Sequence, residues 1–360
     1  MLHVDTERGW RGGERQALWL ARELERRGHR SIVAARPGQP LATRATESGL
    51  VVVACAPLFE ADPRTALSLR RVMQHEGVDL VHAHTAHAAG LTALATLGTR
   101  VPYVIARRVD FPLRDNLGTR LKYRRASRVI AVSHAVERVV ERANVVQGRI
   151  AVVPDATDVR RAVAPASAAT LAAAGVHEPE TAPLVVQVSQ LVPHKDPLNF
   201  VRAVAATRGR VPNVQALLAG DGPLRGDVER LRDDLGLRET LHVLGYRTDA
   251  DELLAAAKVA TLSSREEGMG SVLLDALMLG KPIAATDAGG IPEVVEHDIS
   301  GLIVPVGDPH ALGEAISRIL DDETLATRLA AAARRRAEQF SVTRMTDRTL
   351  EVYERVLATS

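Results

Sequence analysis

Residues 263–282 read Ser-Ser-Arg-Glu-Glu-Gly-Met-Gly-Ser-Val-Leu-Leu-Asp-Ala-Leu-Met-Leu-Gly-Lys-Pro, and three features of this run can do chemistry. Gly268 and Gly270 flank Met269 just before an apolar helical stretch. The backbone there can approach a ligand closely, while the N–H groups of Gly270, Ser271 and Val272 point outward. A helix end of this kind carries about half a positive charge and favours phosphate. Glu266 and Glu267 precede the turn, and an acidic helix cap worth about 0.3–1 kcal/mol is the plainer reading of them. Asp275 stands among Val272, Leu273, Leu274, Ala276 and Leu277, although aspartate is a mediocre helix former seldom buried without a partner. A ligand with phosphates for the helix end and hydroxyls for the acids answers all three features. That describes a nucleotide sugar.

Breaking a sugar–phosphate bond leaves negative charge on the phosphate, which a placed cation and helix-end amides stabilise as it develops. Lys195 suits that task, and a solvated surface lysine is its alternative reading. His84 suits a contact with the sugar; a strand-end histidine bonded to backbone is the alternative. The alternation of His82 and His84 is read as sending only one of them to a given face. His82, His84 and His87 lack an H-x-x-x-H helix spacing and any cysteine partner, so no metal is expected. Gly9, Gly12 and Gly13 do not make the G-x-G-x-x-G dinucleotide fingerprint, and no G-x4-G-K-[ST] phosphate loop occurs. Dehydrogenase and P-loop chemistries are thereby set aside.

These residues need elements to hold them. Short β-branched runs alternate with helical patterns along nearly the whole chain, the signature of parallel βαβ units. Strands are expected near 2–5, 31–35, 51–54, 80–84, 103–107, 129–133 and 150–154. After an Ala- and Pro-rich linker over 160–182 they resume near 184–189, 214–219, 241–245, 259–263, 282–286 and 302–306. The first helix, 14–27, carries Ala17, Leu20, Ala21 and Leu24 on one face and stops at Gly28. Helices 309–320, 323–340 and 343–358 close the chain. The unusual residues all follow predicted strand ends, the edge where open α/β sheets bind ligands. The expected fold class is α/β, with two doubly wound Rossmann-like domains facing a cleft: 1–162 on the acceptor side, 180–340 for the nucleotide sugar, and a helix in 341–360 returning to the first.

A length of 360 residues suits two domains. The 46% hydrophobic and 25% charged composition, with no eighteen-residue apolar run, is that of a globular protein that does not span a bilayer. The start offers no signal peptide and the lone Cys55 no internal disulfide, so a cytoplasmic location is expected. Residues 1–161 hold 26 Lys and Arg against 16 Asp and Glu; the rest hold 20 against 28. That polarity can steer an anionic partner or simply be an uneven surface. Aromatics are only 3%, and a single one, Tyr123, falls within the basic stretch 114–128, which argues against nucleic acid. Arg120, Lys122, Arg124, Arg125 and Arg128 suit peripheral contact with the acidic inner face of a membrane, or a plain solvated helix.

The run Glu267-Gly-Met-Gly, Leu274-Asp275-Ala276, Gly280-Lys-Pro and Gly289-Gly-x-Pro-Glu293 resembles the donor-site signature of the retaining glycosyltransferases of family 4, which have the GT-B fold. Gly12-Gly13, His82-Ala-His84, Ile130-Ala-Val-Ser133, Lys195 and Gly220-Asp-Gly-Pro223 extend the resemblance along the chain. It implies that Glu267 contacts donor sugar hydroxyls, Asp275 the ribose, and Lys195 the diphosphate. Gly270, Ser271 and Val272, with Gly268 and Met269 in the same turn, would hold the distal phosphate, with Gly12 and Gly13 closing over it. His84 would touch the transferred sugar and the loop at Arg247 would line the base. Arg15, Arg107 and Arg108 are acceptor-side candidates. Three positions depart from the family pattern: Asp275 replaces a glutamate, Ser189-Gln190 replaces Gly-Arg, which leaves Gln190 at the diphosphate, and Asp155-Ala156 replaces Asn-Gly.

The resemblance implies a metal-independent retaining glycosyltransferase of hexosyl type. It would use a nucleotide-diphosphate sugar as donor substrate, no cofactor, and a glycan, glycolipid or small polyol as acceptor. A sugar-nucleotide epimerase on the same scaffold and a non-catalytic nucleotide-sugar-binding protein are the alternatives. The sequence assigns no oligomeric state.

Overall fold

A computed structural model describes residues 1–146 and 148–359. The chain forms two units: Met1–Ala156 with Val342–Ser360, and Thr157–Ser341.

The first unit carries a seven-stranded sheet of β1 (Leu2–Val4), β2 (Ile32–Ala35), β3 (Val51–Ala54), β4 (Val81–Ala83), β5 (Tyr103–Arg107), β6 (Arg128–Ala131) and β7 (Ile150–Val152). Every pairing is parallel and the order is β3-β2-β1-β4-β5-β6-β7. Between the strands run α1 (Gly12–Arg26), α2 (Pro40–Glu47), α3 (Pro63–His75), α4 (Ala86–Ala95), α5 (Leu117–Arg125) and α6 (His134–Arg142). The second unit opens with α7 (Ala168–Ala173). Its six parallel strands are β8 (Leu184–Val188), β9 (Gln215–Ala219), β10 (Leu241–Gly245), β11 (Val259–Leu262), β12 (Ile283–Thr286) and β13 (Leu302–Val304), ordered β10-β9-β8-β11-β12-β13. Its helices are α8 (Pro197–Arg210), α9 (Arg225–Asp234), α10 (Ala250–Ala256), α11 (Ser271–Met278), α12 (Ile291–Val294), α13 (Pro309–Asp321) and α14 (Glu323–Ala337). The chain ends in α15 (Val342–Leu357). Both sheets are the doubly wound arrangement expected from the strand–helix alternation, with strand order reversing at β1/β4 and β8/β11.

Local chemistry sets the helix starts. Asp62, Asp196, Asp308 and Asp322 cap α3, α8, α13 and α14 through side-chain oxygens, and three of those helices begin with proline. α1 buries Ala17, Leu20, Ala21 and Leu24, the face expected from sequence, but begins at Gly12, so both glycines fall in its first turn. The linker is also more ordered than its Ala- and Pro-rich composition suggests, because Ser167 caps the short α7 by accepting from the Thr170 amide at 3.1 Å.

α15 belongs to the first unit. Met345, Val352, Tyr353 and Val356 recur at helical spacing and pack with Leu20 and Leu24 of α1 over Val104 and Ile130. Each such buried side chain contributes about 1.5–3 kcal/mol. Among the described residues no helix is long and apolar enough to cross a membrane.

In the second unit, Gly220 follows β9 with φ +146°, and a Cβ there would lie 1.8 Å from the Ser189 carbonyl oxygen; a Cβ on Gly222 would lie 2.5 Å from that of Leu191. These glycines let the β9 loop press against the loop that leaves β8. Gly209, inside α8, meets nothing within 4 Å. Gly220→Ala is therefore expected to cost about 3 kcal/mol or more through strain and overlap. Gly209→Ala should be neutral or stabilising by up to about 1 kcal/mol. Calorimetric unfolding of the two variants checks this; equal midpoints would contradict it.

Candidate functional site

The second unit gathers its chemistry at the carboxyl ends of β8 and β11, the topological switch point of that sheet. β8 leads through Ser189 and the half-buried Gln190 to a 3₁₀ turn, Pro193–Lys195. β11 leads through Ser263–Gly270 into α11. The Ser263 hydroxyl donates toward the carbonyls of Lys195 and Asp196, at 3.2 and 2.9 Å, and accepts from Gln187 Nε2 at 3.1 Å. The Arg265 amide donates to the His194 carbonyl at 2.8 Å, and its guanidinium pairs with Asp196 at 2.6 Å. Asp196 itself sits at φ 42°, in the left-handed region, while it caps α8. Two loops distant in sequence are thus sewn into one surface.

On that surface Lys195 Nζ donates to Glu267 Oε2, which also accepts from the Ser264 hydroxyl at 3.2 Å. Glu267 is buried to 9% exposure and its carbonyl accepts from Gly290 N at 2.9 Å. Gly290 belongs to the Gly289-Gly-x-Pro-Glu293 motif, so that motif braces the turn. Gly270, at φ 80°, ψ 62°, is the residue just before α11 and gives it no side-chain cap. Among the described residues the amides of Gly270, Ser271 and Val272 have no acceptor. Gly270 is buried while Ser271 and Val272 are half-buried, as an anion-binding helix end requires. Gly268 and the 3%-exposed Met269 complete the turn.

Asp275 lies one turn into α11, 3% exposed, and accepts from the Thr157 hydroxyl at 3.1 Å. Sequence reasoning looked to a ligand for its partner; the protein supplies one already, from a residue that nothing in the local pattern marks. Arg247, after β10, holds Asp249 through two bonds of 2.8 and 2.5 Å, so its charge is internally neutralised.

In the first unit, Gly12 and Gly13 open α1, where Arg11 N donates to Glu14 Oε2 at 2.7 Å. Arg15 lies 4.8 Å from the centre of the Trp19 ring. Arg108 pairs with Asp155 at 3.0 Å and donates to the His84 carbonyl at 3.4 Å. Arg107 is buried and donates to the Phe111 carbonyl.

His84 is 4% exposed. Its Nε2 is 3.0 Å from His3 Nδ1, and its ring stacks on His82 with centroids 4.0 Å apart. The expectation that His82 and His84 face opposite ways is therefore wrong: residues two apart on a strand share a face. His3 joins them because it lies opposite His82 in the β1–β4 register. His82 Nδ1 is 2.6 Å from the Tyr353 hydroxyl of α15. The ring nitrogens of the three histidines lie within 4.8 Å of one another, the ligand count of a small metal site, but the rings of His82 and His84 stack rather than radiate. His87 is not part of this group. His3 was missed because a single histidine in a short strand carries no signal until register is known.

Two models match the chain: "Glycosyltransferase Family 4" over residues 10–161 and "Glycosyl transferases group 1" over residues 172–336. The chain belongs to the group 1 glycosyltransferases. It is 34% identical over 189 residues to the lipopolysaccharide core biosynthesis glycosyltransferase LpsD of Rhizobium meliloti (strain 1021), covering 52% of this chain and 54% of that protein. The chain thus spans about half the length of that relative. It is 27% identical to N-acetyl-alpha-D-glucosaminyl L-malate synthase of Bacillus anthracis, over 82% of this chain and 80% of that one. The crystal structure of Anabaena Alr3699/HepE in complex with UDP and glucose superposes with a TM-score of 0.84 at 24% identity, covering 98% of each chain. That likeness establishes the fold as GT-B.

The histidine cluster generates a pH prediction. Burial holds His3 down to about 3 from an ordinary 6.5, and lowers His82 and His84 well below it by burial and the neighbouring charges. The unfolded chain takes up these protons below about pH 6.5 and the folded one does not, so stability present above pH 6.5 is lost as pH falls. Asp5 opposes this: burial raises its carboxyl to about 7, so its contribution is lost as pH rises toward 7. Each group is worth about 1.4 kcal/mol per pH unit, and three imidazoles outweigh one carboxyl. Both tryptophans, Trp10 and Trp19, lie in this unit. Their fluorescence in urea should show a midpoint that falls between pH 7 and pH 5; a midpoint that holds or rises would contradict the assignment.

Proposed function

We propose that the protein is a retaining, metal-independent glycosyltransferase that moves a hexose-type sugar from a nucleotide-diphosphate donor to an acceptor hydroxyl. The observation that carries this reading is the Lys195–Glu267 pair set beside the uncapped start of α11. A cation and a row of amides without acceptors suit a diphosphate, and a buried carboxylate next to them suits sugar hydroxyls. The relatives support the class: one is named a glycosyltransferase and another an N-acetyl-alpha-D-glucosaminyl L-malate synthase, and HepE has been crystallised with UDP and glucose.

In this reading Lys195 leaves Glu267 for the donor diphosphate, and the amides at Ser271 and Val272 take the distal phosphate. Glu267 then accepts from donor hydroxyls, and Asp275, bonded to Thr157, accepts from the ribose. Gln190 and the loop at Arg247 lie at the diphosphate and the base. The anomeric carbon–phosphate oxygen bond breaks as the acceptor oxygen bonds to the same face of that carbon, and the acceptor proton passes to the departing phosphate oxygen. Lys195 and the amides hold the charge that develops, so neither a protein nucleophile nor a metal is needed. His84, neutral and buried beneath the β4 end, orients what lies above it.

Lys195→Ala should weaken UDP binding about 10- to 100-fold, the loss of one charge-assisted hydrogen bond, and depress turnover as well. Glu267→Ala should depress turnover at least as far while leaving UDP affinity equal or tighter, because it removes the internal competitor for Lys195. Titration calorimetry with UDP, and transfer assays run with and without EDTA, measure both. Unchanged turnover in Glu267→Ala, or activity abolished by EDTA, would overturn the reading.

A further inference from the structure

A cavity of about 700 Å³ lies wholly within the first unit, between α4, the β5–α5 connection and α5. Its size is that of a small-molecule site. α4 has apolar residues all round: Ala88, Ala89 and Leu91 are buried, while Gly90, Ala93 and Leu94 face the cavity. A helix without a polar face needs cover on both sides. Across from it stand Val109, Phe111, Leu113 and Leu121, and three lining residues, Leu97, Val109 and Leu121, are 53%, 40% and 56% exposed.

The polar part of the lining is cationic. Arg107, Arg114, Lys122 and Arg125 contribute four positive charges against the single carboxylate of Glu60. Lys122 is buried and bonded to Glu60 and to the Ala86 carbonyl, at 3.2 Å for the latter. Gly90 admits that arrangement, since a Cβ there would lie 2.6 Å from the Glu60 side chain. Arg125 is held by the Ala93 carbonyl at 2.7 Å. Arg114 meets no carboxylate among the described residues, and Arg107, 8% exposed, has a buried Nε with no partner. An orphaned guanidinium N–H in an apolar cavity costs free energy that an anionic oxygen would offset.

We infer that this cavity binds an anionic amphiphile, with one alkyl or prenyl chain against α4 and a phosphate or carboxylate on Arg107 and Arg114. A sugar alone would leave the apolar wall bare, and a free anion would leave the cavity empty. That this amphiphile is the glycosyl acceptor rests on the transferase reading; that it binds does not.

The test is calorimetric titration of the full chain with hexyl, octyl, decyl and dodecyl phosphate below their micelle concentrations. One saturable site is expected, tightening about fourfold per methylene. Arg107→Leu should weaken decyl phosphate at least tenfold while leaving neutral decyl maltoside within twofold. Ala93→Trp should abolish both, and Leu121→Asp, at an exposed position that will not disturb folding, should weaken the phosphate selectively. UDP binding, which rests on the second unit, should persist in all three variants, so its loss elsewhere and a failure here are separate results. Affinity independent of chain length, binding only to anionic vesicles and not to monomers, or wild-type affinity in both Ala93→Trp and Leu121→Asp would overturn the inference.

Discussion

The Ser263 hydroxyl, shared between the carbonyls of Lys195 and Asp196 and the amide of Gln187, is the contact on which the second unit's site depends. Lys195 leaves one strand end and Glu267 another, and nothing in either loop alone would bring them together. With Ser263 and the Arg265–Asp196 pair in place, the lysine, the glutamate and the start of α11 fall on one surface. Gly220 and Gly222 make the same demand from the other side, because only bare backbone fits against the β8 loop. The site is therefore a property of parallel strand order: β8 and β11 adjoin because the sheet reverses direction there.

The first unit solves a different problem. Three neutral, buried imidazoles meet Tyr353 of α15, a helix whose apolar face packs on α1. Desolvation keeps the rings uncharged, and the stack of His82 on His84 places the latter directly beneath the end of β4. α15 supplies Tyr353, so the last helix of the chain is part of the support for a residue on the fourth strand. The cationic, apolar cavity beside α4 lies in the same unit, one helix turn beyond that strand end.

Much of this was legible in the sequence where the signal is local. Alternating β-branched runs and helical periods gave both sheets, and the face of α1 followed from Ala17, Leu20, Ala21 and Leu24. The Gly-Met-Gly turn announced an uncapped helix end because glycine spacing is a backbone requirement. What depends on register was not legible. His3 joins His82 only through strand pairing, Thr157 reaches Asp275 across 118 positions, and Ser264 reaches Glu267 through a bend that no pattern marks. The cavity was not legible either, because which side of α4 is left uncovered depends on how α5 and the β5–α5 connection stand across from it. Family membership rests on the whole-chain pattern rather than on any single residue.

The central claim is that the start of α11, with Lys195, is built for a diphosphate. A crystal structure of the protein soaked with a nucleoside diphosphate tests it most directly. The account predicts the distal phosphate within hydrogen-bonding distance of the Ser271 and Val272 amides and of Lys195 Nζ, with Glu267 released from that lysine. A diphosphate bound elsewhere, with Lys195 still on Glu267 and those amides facing water, would contradict it.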